Sequence, residues 1–307
     1  MELSVISGKG GTGKSNLAAS LVSLASSVIL ADCDVDAANQ HILFQPDVCS
    51  EEAFTGSENA VIDTAICTNC GICAQHCRFG AINHQQNHTR ISDIFCDGCG
   101  FCVTVCPEGA ISMQKHNKSR LFTGNFRYGE MVYGILAPGE ENSGKLVNLV
   151  KNKARDLARK KQIRNMIIDG PPGLGCPVIS SISGATDVVV VCEPSLSAIH
   201  DLERVLSLLQ RYNFPVWIVI NKFDLNLALA QIIEEKICDN RHITLAGKIP
   251  FDENVVRAMA MCKTIVEYKP DSTAARAIHH IYNQIFCDKK MIETENEKGP
   301  GIINGNH

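Results

Sequence analysis

Near the start of the chain, Gly8, Lys9, Gly10, Gly11, Thr12, Gly13, Lys14 and Ser15 fit the pattern G-x-x-x-x-G-K-[ST] and constrain the fold more than any other feature. The apolar run Leu3–Ser7 precedes them and a helical pattern, Lys14–Ala25, follows. In that setting the glycines let backbone N–H groups curl around a phosphate, and the helix N-terminus adds its positive end. Lys14 then reaches the outer phosphates, and the Ser15 hydroxyl is placed to ligate Mg2+. A strand, a tight loop and a helix in that order form the first unit of an α/β fold. Further β-branched runs at Val28–Ala31, Met166–Ile168, Asp187–Cys192 and Val216–Ile220 read as buried strands, with helical periods at Lys145–Arg159 and Ala198–Arg211. The alternation predicts a doubly wound, mostly parallel α/β sheet.

Between the second and third of these strands the chain is too long for one crossover, so something is inserted. The insert is an internal repeat: ICTNCGICAQHCRFGAI at 66–82 recurs as FCDGCGFCVTVCPEGAI at 95–111, at an offset of 29 residues. A repeat this close predicts two copies of one small unit facing each other, with limits near Asp63 and Lys115. The cysteines 67, 70, 73 and 77, and again 96, 99, 102 and 106 before Pro107, make two bacterial ferredoxin runs. Three thiolates two residues apart wrap one face of a cubane, while the following turn carries the fourth to the other cluster. This assigns Cys67, Cys70, Cys73 and Cys106 to one 4Fe-4S cluster and Cys77, Cys96, Cys99 and Cys102 to the second. Zinc is the competing metal, but a tetrahedral zinc site usually joins two well-separated pairs. Arg78 stands where the ferredoxin pattern commonly has proline, which leaves the ligands intact.

Composition narrows the partners and the compartment. With 45% hydrophobic and 20% charged residues and a net charge of -4, the 307-residue chain has no basic field to draw nucleic acid or an anionic membrane. No apolar run approaches the roughly 20 residues that span a bilayer, and the N-terminus has no signal-peptide pattern, so a cytoplasmic location is expected. In a reducing compartment fifteen cysteines point to metal ligation rather than disulfides. The seven outside the repeat (Cys33, Cys49, Cys176, Cys192, Cys238, Cys262 and Cys287) read as small buried hydrophobes. Residues 288–307 are polar, without helical period or a basic amphipathic pattern, and read as a disordered tail with no stable membrane anchor.

Lys9 is not required by a simple phosphate loop, and K-G-G-T-G-K-S resembles the deviant Walker A signature of the MinD, Mrp and nitrogenase iron-protein families of P-loop NTPases. The resemblance implies that Lys9 reaches the partner subunit's nucleotide when two ATP-loaded subunits face each other. Asp32-Cys-Asp34 through Asn39 resembles the family's switch I, which makes Asp34 the residue that orients the attacking water. Ile168-Asp169-Gly-Pro-Pro-Gly173 resembles Walker B and the start of switch II, with Asp169 holding Mg2+ through its water shell. Asn221 stands where such proteins read the purine base, and Asp201, after Pro194, where MinD contacts the signature lysine across the dimer. The resemblance covers residues 1–62 and 116–287.

With the insert at 63–115 the chain is similar to MinD-superfamily ATPases containing an inserted, small α+β ferredoxin-like domain. In that family the stretch Gly139–Lys145 recurs; by its residues alone it is a polar loop before a helix. The resemblance implies binding of ATP and Mg2+, with slow, partner-stimulated hydrolysis that gates electron transfer through two 4Fe-4S clusters. Alternatives are ATP-dependent delivery of a metal or cluster to a client, and a redox-sensing positioning switch like MinD. Implied partners are a second copy or a related ATPase in a dimer, and a redox protein or a small metal-cofactor-binding client. Cys176, in switch II, matches a cysteine of the nitrogenase iron protein that helps bridge a cluster between subunits. Such a bridge needs a second ligand upstream, and 138–145 has no cysteine. A switch-linked thiol and a plain packed cysteine are the other readings of Cys176.

Overall fold

The computed structural model describes all residues except 55, 57, 86–87, 94, 116–117, 139, 141, 239–242 and 297–307, and for 238 and 287–296 the backbone alone. β1 (Glu2–Ser7) runs through the glycine loop into α1 (Lys14–Leu24), and β2 (Val28–Asp32), α2 (Gln40–Phe44) and β3 (Asp47–Phe54) follow. The inserted unit holds β4 (Glu58–Ile62), α3 (Ile72–His76), β5 (Ile82–Gln85), β6 (His88–Ile91), α4 (Phe101–Val105) and β7 (Ile111–Lys115). The chain returns through β8 (Ser119–Phe126) and β9 (Gly129–Ile135) to α5 (Ser143–Lys161), β10 (Met166–Pro172) and α6 (Cys176–Ile182). β11 (Asp187–Cys192), α7 (Leu196–Leu209), β12 (Val216–Asn221), α8 (Leu227–Cys238) and β13 (Ile243–Ile249) extend the alternation. The last elements are α9 (Asn254–Ala260), α10 (Ile265–Tyr268) and α11 (Thr273–Asn296).

Among the described residues nine strands form one sheet in the order β13-β12-β11-β1-β10-β2-β9-β8-β3. The seven from β13 to β9 are parallel, and β8 and β3 add an antiparallel edge. Strand alternation sends Leu3, Val5, Val189 and Val219 to one face, against Leu17 and Leu21 of α1 and Ile281 of α11. Ile6, Val188, Val190 and Ile218 go to the other, against Val178, Leu202 and Ile233 of the α6, α7 and α8 layer. On β2, β9 and β10, Ile29, Val132 and Ile168 meet Leu146, Val147 and Val150 of α5. Burial on both faces is why the central strands read as unbroken apolar runs.

The inserted unit sits on an antiparallel stalk. Phe54 pairs with Ser119 at the end of the β3–β8 ladder, and Glu58 pairs with Lys115 where the β4–β7 ladder begins. The β4–β7 ladder that leads into the repeats thus begins ahead of Asp63, where the Glu and Asn of β4 make the strand read as linker. Its two repeats share backbone geometry: Gly71 and Gly100 have φ of 74 and 71, Gly80 and Gly109 of 63 and 62. At the other end, the backbone of 288–296 belongs to α11 and is helical where disorder was expected. The remainder of that expected tail, 297–307, lies outside the described residues.

Candidate functional site

The C-terminal ends of β1, β2 and β10 converge on the glycine loop. Gly11 and Gly13 are left-handed, with φ of 81 and 91. A side chain at Gly13 would also strike the Asn221 amide, so a glycine is required there on both counts. Lys14 is buried, its Nζ 2.6 Å from Asp169 Oδ1, 3.4 Å from Asp34 Oδ2 and 3.2 Å from Ser15 Oγ. Burial works against its charge, but Asp169 and Asp34 hold its pKa above the ordinary lysine value. Gln40 donates its amide to Asp169 Oδ2 at 2.7 Å and to the Ser15 carbonyl at 2.9 Å. Asp32 accepts from the backbone N–H groups of Asn39 (3.1 Å) and Gln40 (3.0 Å). Complete burial, and then the neighbouring Asp169, push the Asp32 carboxyl up to about 8. Burial also raises Asp34, against the pull of Lys14.

This is a site crowded with carboxylates around one ammonium group, the electrostatics of a place that takes a divalent cation with polyanionic phosphate. Thr12 Oγ1 and Gln40 Oε1 are buried there without a hydrogen-bond partner. A cavity of ≈ 680 Å³ opens above Gly10–Asn16 and is walled by Asp34, Asn39, Gln40, Pro171 and Pro172. A second of ≈ 240 Å³, shared through Gly11, Gly13, Asn16 and Met259, is lined by Asn221, Pro250, Phe251, Asp252 and Val255. The first has a cation at its floor and a carboxylate in its wall; the second sets Pro250, Phe251 and Val255 beside the Asn221 amide. Together they have the chemistry of a nucleoside polyphosphate site. Sequence reasoning missed Gln40, although it directly follows Asn39, and it missed the Pro250–Asp252 wall, which no motif marked.

In the inserted unit, Cys67, Cys70, Cys73 and Cys106 line one small cavity. Cys77, Cys96, Cys99 and Cys102, with Cys73 again, line a second of ≈ 420 Å³. The Ala110 N–H donates to Cys106 Sγ at 3.3 Å and the Asn69 N–H to Cys67 Sγ at 3.4 Å. Burial raises the Cys73 thiol, and Cys106, Cys67 and Cys70 add to the effect; burial and then Cys96 raise Cys102. Among the described residues no three Cys, His, Asp or Glu side chains converge as a site for a single metal ion.

Residues 3–265 match the CobQ/CobB/MinD/ParA nucleotide binding domain. The chain belongs to that family. It is 33% identical over 289 residues to uncharacterized protein MJ0578 of Methanocaldococcus jannaschii, covering 93% of this chain and 96% of that one. It is 27% identical over 185 residues to the septum site-determining protein MinD of Bacillus subtilis, covering 58% of this chain and 67% of that one. Its fold is that of Pyrococcus furiosus cell division ATPase MinD (TM-score 0.54, 18% identity, 94% of this chain and 98% of that one). MinD of Pyrococcus horikoshii in complex with Mg-ADP is similar to the same extent (TM-score 0.54, 17% identity, 94% and 97% coverage).

In this member of the CobQ/CobB/MinD/ParA family the second loop lysine is folded onto its own chain. Lys9 Nζ lies 2.9 Å from Glu193 Oε1 and donates to Ser195 Oγ at 3.2 Å and Ser197 Oγ at 3.1 Å. Glu193, which no sequence motif marked, is pushed up by burial but held below its ordinary value by Lys9 and Lys222. Asp201 packs against Gly8, where an added Cβ would fall 2.7 Å from its own. Asn221 donates its amide to the Thr12 carbonyl at 2.8 Å, bracing the loop from the side of the second cavity. Cys176 is exposed at the first residue of α6, which removes the plain packed reading. Cys33 and Cys192 are buried as expected, and burial pushes the Cys192 thiol up to about 12. Cys49, by contrast, is exposed and Cys262 half-buried. No helix among the described residues is long and apolar enough to cross a membrane.

Proposed function

We propose that the chain is a Mg2+-dependent ATPase whose nucleotide cycle acts on a ferredoxin-like module carrying two 4Fe-4S clusters, gating electron transfer through them. The observation that carries this reading is the grouping of the module's cysteines. Each set of four assigned from the spacing lines a common cavity, with Cys106 and Cys77 crossing between the repeats. A single tetrahedral ion with bonds of about 2.3 Å would need its sulfurs within about 4 Å of one another. The two sets line separate cavities, as two separate clusters would require. When bound there, the clusters supply one-electron chemistry.

At the nucleotide site Lys14 would hold the outer phosphates, and Ser15 and Asp169 would hold Mg2+, directly and through its water shell. Asp34 then faces the attacking water. The Mg-ADP bound to the Pyrococcus horikoshii relative supports that ligand class. Gln40 and Lys14, which satisfy Asp169 here, are the groups that must change partners when nucleotide arrives. Lys9, released from Glu193, would reach the nucleotide of a second copy in a dimer.

The likeness to MinD over most of the chain favours a second reading, a MinD-type switch whose module senses redox state. Delivery of a cluster to a client is a third. Eight thiols in two complete sets leave no open position for cargo, which favours redox work. Reduction of an acceptor dye by anaerobically purified protein, with and without Mg-ATP, separates them. Strictly ATP-dependent reduction is expected. Equal reduction with ADP would leave the switch reading, and iron passing to an apo-acceptor protein would favour delivery.

A further inference from the structure

The loop at 137–142 lies between the nucleotide switch and the root of the cysteine module, and nothing in the function above uses it. Glu140 is 6% exposed, yet it is a carboxylate accepting from Lys118 N at 2.9 Å, Ser119 N at 3.3 Å and Ser119 Oγ. Ser119 Oγ in turn accepts from Ala137 N at 2.9 Å. Two residues on, Asn142 is left-handed with φ 72 and donates its amide to the Gly56 carbonyl at 2.6 Å. Lys145 places its Nζ 5.9 Å above the Phe54 ring. Gly56 lies between β3 and β4, where the chain leaves for the module, and Lys118, just before β8, and Ser119, at its start, lie where it returns. One short loop therefore grips both strands of the root, and does so with a buried charge, which is costly unless fully hydrogen-bonded.

The helix that follows is fixed to switch II. At Gly144 an added Cβ would rest 3.5 Å from Cys176 and 3.4 Å from Ser180 Oγ, so α5 lies against the first turns of α6. Asn148 donates to Ser180 Oγ at 3.3 Å. Lys151, 1% exposed, donates to the carbonyls of Ser180 at 2.8 Å and Ser183 at 2.5 Å. From α6 the chain runs back through Gly173 to Asp169, whose two oxygens are held by Lys14 and Gln40. A phosphate would compete with Asp169 for Lys14, and Mg2+ would compete with Lys14 and Gln40 for the Asp169 carboxylate, so the segment from 170 to 176 is the part that nucleotide can displace.

We propose that α5 and its leading loop form a coupling rod that carries the displacement of switch II to the module root, with Glu140 and Asn142 as its positioning residues. The inference rests on the nucleotide-binding reading given above. A rod of this kind needs stiff ends, and the two ends here are a triply accepting buried carboxylate and a buried lysine capping α6.

The test is hydrogen–deuterium exchange of the full, cluster-loaded chain, apo and with Mg2+ and a non-hydrolysable ATP analogue, read on peptides covering 54–62 and 111–121. The nucleotide is expected to change exchange at the root at least about fivefold in the wild type, the low end of ordinary coupling between sites. Glu140→Ala and Asn142→Ala are expected to shrink that ratio below about twofold while analogue affinity stays within about twofold, and Glu140→Gln to restore part of it. Mere loosening would raise exchange equally with and without nucleotide and leave the ratio intact, which would overturn the proposal. Should the root variants fail to fold, Gly144→Leu, which wedges α5 away from α6 at the other end, reads the same ratio. A wild type that binds the analogue without any response at the root would also overturn it. A wild type that binds no analogue by equilibrium dialysis would bring down the nucleotide-binding reading itself.

Discussion

The nucleotide-binding part and the cysteine module are built on different sources of stability. The first buries both faces of a parallel sheet under α1, α5 to α8 and α11. The second has Ala60, Cys73, Ile82 and Ile111 as its buried apolar cluster. Cores that small do not hold a fold in water without disulfides or metal, because burial cannot offset the entropy of ordering the chain. One part is thus specified by apolar periodicity; the other, on the reading proposed above, would be specified by the spacing of donors that a bound cluster joins.

The largest expected effect breaks this comparison in half. Anaerobically purified protein is expected to hold about eight irons and eight sulfides per chain, and Cys70→Ser with Cys99→Ser to lose most of both. Trypsin should then cut within 58–115 while the nucleotide-binding part keeps its melting temperature, because the stalk isolates the two cores. Stoichiometric zinc with no visible absorption would remove the iron reading. A melting temperature that falls together with the iron would show one shared core instead of two.

The next effect sharpens the first half alone. Lys14→Ala removes the ammonium group that three carboxylates surround, so hydrolysis should fall more than about 100-fold and nucleotide affinity with it. Asp34→Ala should abolish hydrolysis and still bind, since Asp34 is placed to act on water and not to hold phosphate. Iron content should be normal in both. Unchanged turnover in Asp34→Ala would take that residue off the catalytic list.

The same contrast explains what was legible in the sequence. The glycine loop, Asp34, Asp169 and the central strands could be read because each pairs a motif with a periodicity. β3 escaped because an edge strand exposed on both faces, DVCSEEAF, has no apolar run to mark it. Gln40, Glu193 and Glu140 were invisible for a different cause. Each is an ordinary polar residue whose role arises only where distant strand ends converge, as Glu193 does on Lys9. Asp201 packs against Gly8 within its own chain, and the contact that the resemblance implies for it, with the signature lysine across a dimer, is a separate one. In the module, each set of four cysteines grouped by spacing lines a common cavity, with Cys73 on both.

A smaller effect belongs to the nucleotide-binding part and should leave the module untouched. Glu267 accepts from Arg127 Nε at 2.8 Å, Tyr128 OH at 2.7 Å and Thr264 N at 2.6 Å. Burial pushes its carboxyl up, but Arg127, Thr264 and Tyr128 pull it down to about 2. A carboxylate with a depressed folded pKa stabilises the fold above its unfolded value, near 4.5, and that contribution fades as pH falls toward 2. Glu267→Gln should cost about 1–2 kcal/mol at pH 7, allowing for the exposed part of the pair, or about 4 °C in melting temperature. The gap between wild type and variant should close as pH is lowered from about 5 to about 2. A gap independent of pH would mean that the glutamate acts by shape and not by charge.

The smallest expected effect concerns Cys176, which stands where the two parts are mechanically closest. Its thiol is exposed at the first turn of α6, against Gly144 of α5, and the stretch that would supply a second bridging ligand has no cysteine. A cluster shared between two subunits needs two ligands from each, so the geometry favours a thiol whose surroundings follow the switch. Alkylation by iodoacetamide, read by mass spectrometry, should therefore differ about threefold between the apo and ATP-analogue forms at Cys176, within the modest range of local opening effects. Cys49, exposed on β3 away from the switch, is the internal control and should label at one rate throughout. Equal labelling at both sites in every nucleotide state would leave Cys176 an inert surface thiol. Loss of about two irons per chain in Cys176→Ser would instead return the bridging cluster, a junction between two subunits and not between the two parts of one chain.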